Sequence, residues 1–236
     1  MTWSSLEPVP ATALGDVITE RLRRMIIAGD VPAGAHLAEP RLAESFDVSR
    51  GPVRDALRRL ESEGLVVVRR RKMFAAGLTT DDVVELYAIR EAVETLALRL
   101  AHDRAADADW GEALDALATM RRAADAARYA DYAHADLAFH TSFYALSGSR
   151  RLLDIWRQYE PTFAVLLEIT NAEDVDLGPS LASHVAILET ARAGRVDEAV
   201  VELQGHLLGA RTRMVHALSR LDTGRAATPP DGEIPA

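Results

Sequence analysis

The 236-residue chain has no cysteine, which excludes disulfides, thiol nucleophiles and thiolate metal sites and fits a reducing compartment. It has no run of about 18 apolar residues, the length a membrane-spanning helix requires. Its first residues, MTWSSLEPVP, lack the charged and apolar regions of a signal peptide. These absences predict a soluble cytoplasmic protein with no membrane partner. No internal repeat is visible, and beyond residue 78 strand-type alternation is almost missing. What is present is 48% hydrophobic content, ample for the cores of one large or two modest domains.

A net charge of −9 argues against a nucleic-acid partner only if it is evenly spread. Residues 1–78 carry 12 Lys and Arg against 10 Asp and Glu, whereas the remainder carries 15 against 26. Within residues 41–72 there are 9 cations and 5 acids, so the positive excess is concentrated in one short region.

That region, PRLAESFDVSRGPVRDALRRLESEG at residues 40–64, reads as a helix, a tight turn and a second helix. Leu42, Ala43 and Phe46 form a short apolar face, Asp47-Val48-Ser49 interrupts it, and Pro52 occupies a first turn that tolerates a missing N–H. Val53, Ala56, Leu57 and Leu60 then recur at helical spacing, turning Arg50, Arg54, Arg58 and Arg59 away from that face. Ser49 is placed as N-cap and Gly64 as the stop. The arginine face is either a solvated helix surface or the reading side of a helix-turn-helix, in which a guanidinium fork bonds guanine or clamps phosphate. The next stretch, LVVVRRRKMFAAGL, favours the second. Two short strands, Leu65 to Val68 and Phe74 to Ala76, flank Arg69-Arg70-Arg71-Lys72, and four adjacent cations beside a recognition helix suit phosphate. Upstream, Val17, Ile18, Leu22, Met25 and Ile26 predict a supporting helix that Gly29 ends, and His36-Leu37 a short strand pairing with the wing.

With G-D-V-P-A-G-A-H-L at 29–37, R-L-A-E at 41–44 and V-S-R-G-P-V-R-D-A-L-R-R-L-E-S-E-G-L-V at 48–66, residues 14–78 resemble the winged domain of GntR-type bacterial transcription regulators. The resemblance implies that Arg41, Arg50 and Arg54 contact double-stranded operator DNA and that Ser49 and Gly51 lie against its backbone; Arg70 and Arg71 are expected at the DNA from the basic wing tip itself. Gly51 stands where Thr is usual, and the wing tip lacks the usual Arg-Gly pair.

From Thr79-Thr80-Asp81-Asp82, a helix-start cluster, the periodicity is helical to about residue 220. Six helices are predicted, at about 81–105, 108–127, 130–147, 150–169, 179–193 and 195–220; their short connections imply an antiparallel bundle. The expected architecture is mainly α. It comprises a flexible arm at 1–12, a winged helix-turn-helix at 13–78, an all-helical domain at 79–221 and a disordered tail at 222–236.

Within the bundle, D-L-A-F-H at 136–140 stacks Asp136 and His140 one turn apart on a face shared with Ala133 and Phe143. His184 aligns with Ile187, Leu188 and Ala191, and His206 with Leu203, Leu207 and Ala210, so all four point inward. Buried carboxylate and imidazole groups require partners or a metal. The set reads either as a hydrogen-bonded polar cluster or as mixed N/O ligands for a divalent ion. His36, His102, His134 and His216 have no such company. D-L-A-F-H, S-H-V-A-I-L-E-T at 183–190 and G-R-V-D-E-A…H-L at 194–207 are similar to the FCD effector-binding domain of FadR-type regulators. This resemblance implies that Asp136, His140, His184 and His206 hold zinc, nickel or manganese and that a small carboxylate effector completes the coordination. It also implies that Arg90, in I-R-E-A-V-E at 89–94, faces the effector cavity. Three histidines and a carboxylate could also activate water as a metalloenzyme does, but no further Glu or His on these stripes supplies a general base. A DNA-bound architectural protein would need no buried polar cluster. The expected function is a homodimeric, effector-responsive regulator at a pseudo-palindromic operator, not an enzyme.

Overall fold

A computed structural model describes residues 11–104, 110–173 and 176–226. Residues 1–10 of the expected arm and 227–236 of the expected tail lie outside the described residues. The chain divides into two compact units between Leu78 and Thr79.

The first unit contains α1 (Ala11–Ala28), α2 (Glu39–Ser45), α3 (Arg50–Ser62) and the strands β1 (Val66–Arg69) and β2 (Lys72–Ala75). Helix α1 already begins at Ala11, inside the stretch expected to be an arm. Its buried face is Ile18, Leu22, Ile26 and Ile27, while Val17 is 64% exposed; one residue of offset turns a side chain by about 100°, so Val17 does not share the stripe of Ile18. The same face buries Arg23, whose Nε and Nη2 bond the Glu63 carboxylate at 2.6 and 2.7 Å. This pair fastens α1 to the end of α3, whose Val53, Ala56, Leu57 and Leu60 are fully buried. Ser49 occupies the N-cap position of α3 in an extended conformation, but its side chain makes no capping bond. Gly64 ends the helix with φ +79°, in the left-handed region that glycine enters without strain.

The wing is an antiparallel pair running from Val66↔Ala75 to Arg69↔Lys72. Its strands therefore include Arg69 and Lys72, and the loop shrinks to Arg70-Arg71, both left-handed at φ 50° and 63°. Two positive φ values suit a two-residue hairpin, whose mirror-image turn matches strand twist. His36 bridges Phe74, with Leu37 N–H donating to the Met73 carbonyl at 2.9 Å, so the predicted third strand is a single bridge.

The second unit consists, among the described residues, of α4 (Thr80–Arg104), α5 (Gly111–Asp125), α6 (Tyr129–Leu146), α7 (Arg150–Glu173), α8 (Gly178–Arg192) and α9 (Val196–Ala226). Thr79 and Asp82 cap α4 reciprocally: Thr79 N–H donates to Asp82 Oδ2 at 2.8 Å and Asp82 N–H to Thr79 Oγ1 at 3.1 Å, a capping box. Helix α9 continues to Ala226, through residues expected to be tail. Helix α5 packs on α6, α6 on α7 and α8 on α9, while α4 touches α6, α7 and α9. The core holds Tyr87, Tyr132, Phe139, Phe143, Trp156, Phe163 and Leu203. None of the described helices is long and apolar enough to cross a membrane.

Candidate metal centre and nucleic-acid interface

Helices α6, α8 and α9 each bring ligand-type side chains to one point in the second unit. Asp136, His140, His184 and His206 are all buried, and one potential ligand atom from each lies within 4.8 Å of the others. Asp136 Oδ2 is 3.2 Å from His184 Nε2, Asp136 Oδ1 is 3.6 Å from His140 Nε2, and the two Nε2 atoms are 3.3 Å apart.

The surrounding hydrogen bonds determine which nitrogen carries each proton. His184 Nδ1 lies 2.7 Å from the Ser180 carbonyl, which can only accept, so Nδ1 donates. His140 Nδ1 meets the Glu94 carboxylate and also donates. The Ser183 hydroxyl donates to Ser180 O at 2.7 Å, so it accepts from His206 Nδ1 at 2.8 Å. In a neutral imidazole the remaining nitrogen is then a lone pair. Three such Nε2 atoms and a carboxylate thus present acceptors to a common centre with no donor among them. Facing acceptors at about 3.3 Å repel; a cation, or a proton on one imidazole, removes the conflict. Tying the outer nitrogen of each ring is how metal-bound histidines are oriented.

Electrostatics points the same way. Burial lowers the pKa of both His140 and His206, because an apolar surrounding disfavours imidazolium. Burial alone would raise the Asp136 carboxyl, and positive charge at His184 and His140 lowers it below the usual carboxylate range; a proton or a cation among these groups supplies that charge. Glu94 behaves alike: burial opposes ionisation, while His140 and Arg90 bring its pKa down. The buried charges Arg90, Glu94 and Asp136 leave one negative charge in excess, which a divalent ion would convert to one positive.

Glu94 was absent from the ligand set read in the sequence. It is fully buried and bonds Arg90 Nε at 3.0 Å. Arg90 also packs over the rings of Phe163, Trp156 and Tyr87, 4.9 to 5.8 Å from their centroids. Arg90, Asp136 and His206 line one cleft with Asn171 and Arg213. Two buried donors on residues lining that cleft, Arg90 Nη2 and Asn171 Nδ2, have no acceptor among the described residues. Asn171, near the end of α7, had no local sequence signal. The other histidines stand apart: His134 bonds the Ala130 carbonyl at 2.7 Å, and His36 and His216 are exposed.

In the first unit Arg41, Ser49, Arg50, Gly51, Arg54, Arg70 and Arg71 are all exposed. A Cβ at Gly51 would meet nothing within 4 Å, so the fold itself makes no demand for glycine there. Of the four outward arginines on α3, Arg54 pairs with Glu39 and Arg59 with Asp16 of α1.

Residues 14–75 match the bacterial regulatory proteins of the gntR family, and residues 85–209 match the FCD domain. The chain belongs to the FCD-bearing GntR regulators. Among curated relatives of this GntR chain, the HTH-type transcriptional regulator YdhC of Bacillus subtilis is 43% identical over 86 residues, 36% of this chain and 38% of that protein. The gluconate operon transcriptional repressor of Bacillus licheniformis is 30% identical over 143 residues, 59% of this chain and 58% of that one. The alignments thus span less than two thirds of either relative. A GntR transcriptional regulator from Rhodococcus sp. RHA1 is similar in structure, with TM-score 0.66 and 26% identity over 87% of this chain and 99% of that one. The metal-free FCD domain of TM0439 shares the fold of 61% of this chain, at TM-score 0.54 and 16% identity, over 99% of its own length.

Proposed function

We propose that this GntR regulator binds operator DNA through its winged unit and that its bundle holds one divalent ion at Asp136, His140, His184 and His206, where a small carboxylate effector binds and modulates DNA affinity. The observation that carries the second half is the convergence of three Nε2 lone pairs and the Asp136 carboxylate on one point with no donor. Mixed nitrogen and oxygen ligands suit zinc, nickel or manganese. When bound, the ion supplies the positive charge that a carboxylate oxygen can ligate. Arg90 and Asn171 supply the chain's own part, since their unpaired N–H groups stand in the same cleft as Asp136 and His206. A monocarboxylate would neutralise the surplus positive charge that the ion leaves.

For the DNA side, Arg41, Arg50 and Arg54 are the base and phosphate contacts, with Ser49 and Gly51 against the backbone and Arg70 and Arg71 at the wing. One short helix reads few bases, so the protein acts as a homodimer on a pseudo-palindromic site. Apolar side chains exposed on the bundle, Leu96, Val201 and Leu208 among them, supply surface of the kind subunits cover. The family is one of regulators, which argues against the metalloenzyme alternative.

The test is binding of the full chain to a duplex it selects from a random pool, with and without metal, across a panel of small organic acids. The panel starts with sugar acids, since one relative is named for a gluconate operon. A change in affinity that needs both acid and metal is the expected result. A response to acid that ignores metal would leave recognition to Arg90 and Asn171, and metal binding with no response to any acid would make the ion structural.

A further inference from the structure

One ion pair on the recognition surface has no part in the scheme above. Glu39, the first residue of α2, receives Arg54 Nε at 3.2 Å on both carboxylate oxygens and Arg54 Nη2 at 3.0 Å. The side chains are 27% and 51% exposed, and an exposed pair of this kind adds little to stability. Its consequence is geometric and electrostatic.

The carboxylate engages the Nε/Nη2 edge of the guanidinium. That leaves the Nη1/Nη2 edge, two parallel N–H groups in a fixed plane, for an outside acceptor. This edge matches O6 and N7 of guanine as well as it matches a phosphate. The carboxylate decides between them: a negative charge about 3 Å from the guanidinium repels a phosphate but leaves a neutral base edge unopposed. Arg41 and Arg50 are also exposed, and among the described residues no acid is paired with either; nothing of this kind turns them away from phosphate. We propose that Glu39 is a positioning residue that makes Arg54 a reader of a base and not a clamp on the backbone. This rests on the DNA-binding reading given above and goes beyond it.

The test uses the full-length wild type, E39Q, R54A and the double variant. Each is titrated against a duplex selected by the wild type, against that duplex changed at every base pair in turn, and against random duplex, with melting curves as the folding control. E39Q is expected to lose about tenfold in discrimination at the same base pair where R54A loses it. The double variant should be no worse than R54A, and E39Q should bind random duplex as well as or better than the wild type, because a negative charge facing DNA has gone. A purely structural role would not concentrate the loss at one base pair. Should E39Q melt early, E39D keeps the charge on a shorter arm and is expected to weaken discrimination at that same position. Wild-type discrimination in E39Q, or equal loss on selected and random duplexes, would overturn the proposal. A wild type that prefers no sequence at all would remove the DNA-reading proposal and this one with it.

Discussion

Arg54 of the winged unit keeps 51% of its side chain in solvent, whereas Arg90 of the bundle keeps 2%. Both are held by a glutamate at 3.0 Å, yet the two pairs do different work. At the surface water screens both charges, so the Arg54–Glu39 pair adds little to stability and can be lost without harm to the fold. Inside the bundle no water replaces a lost partner, and Arg90, Glu94 and His140 form a chain in which each group depends on the next. On the proposed reading, function in the winged unit is a matter of exposed cations, one of them set by a single acid. In the bundle it is a matter of completing a buried set.

The largest effect should come from breaking that set. Glu94→Ala leaves Arg90 buried without its carboxylate and frees His140 Nδ1, and removing one member of a buried pair costs about 3–5 kcal/mol; urea unfolding should register this, while Glu39→Ala should shift stability by no more than about 1 kcal/mol. If both substitutions cost the same, the contrast between the units fails.

A second contrast is pH. His140 and His206 are held by burial below their ordinary value, while in the unfolded chain they take up protons near 6.5. Below about pH 6.5 the unfolded state therefore binds more protons, and stability should fall by up to about 1.4 kcal/mol per histidine per pH unit, with little change above 7. Asp136 and Glu94 have lowered pKa values, so their contributions are lost on acidification too, but only below about pH 4. Urea midpoints of metal-free protein at pH 7.5, 6.5 and 5.5 measure the slope, and a flat profile would show that the histidines titrate normally.

The smallest effect sharpens the surface side. Arg70 and Arg71 hold left-handed backbone angles that cost a side chain about 1 kcal/mol or more. Arg71→Gly should raise stability by at most about 1 kcal/mol once the looser unfolded chain is counted, read as a slightly higher melting temperature, while weakening DNA binding through loss of a cation.

What could be read in the sequence follows the same division. The apolar stripe of α3 left its arginines no direction but outward, and one-turn spacing put Asp136 beside His140. Glu94 escaped notice because an Arg-Glu pair four residues apart is common on solvated helices. The signal was present, since Arg90 and Glu94 fall on the stripe of Val83, Tyr87, Ala97 and Ala101 that α4 buries. Ser180 and Ser183 fix two histidine tautomers through bonds that span the start of α8 and cross to α9, and Asn171 reaches the cleft from α7; no local pattern encodes meetings between helices. Helix α9 runs to Ala226, past the end expected at about 220, because the polar, proline- and glycine-rich composition beyond residue 221 reads as tail although its first residues are helical.

The most direct test is metal content. Wild-type protein incubated with zinc, nickel or manganese and then desalted at pH 7.5 should retain about one ion per chain by elemental analysis, His206→Ala should retain far less, and His216→Ala should match the wild type. Equal retention in His206→Ala, or none in the wild type with any of the three ions, would contradict a metal centre and leave a proton as what reconciles the facing acceptors.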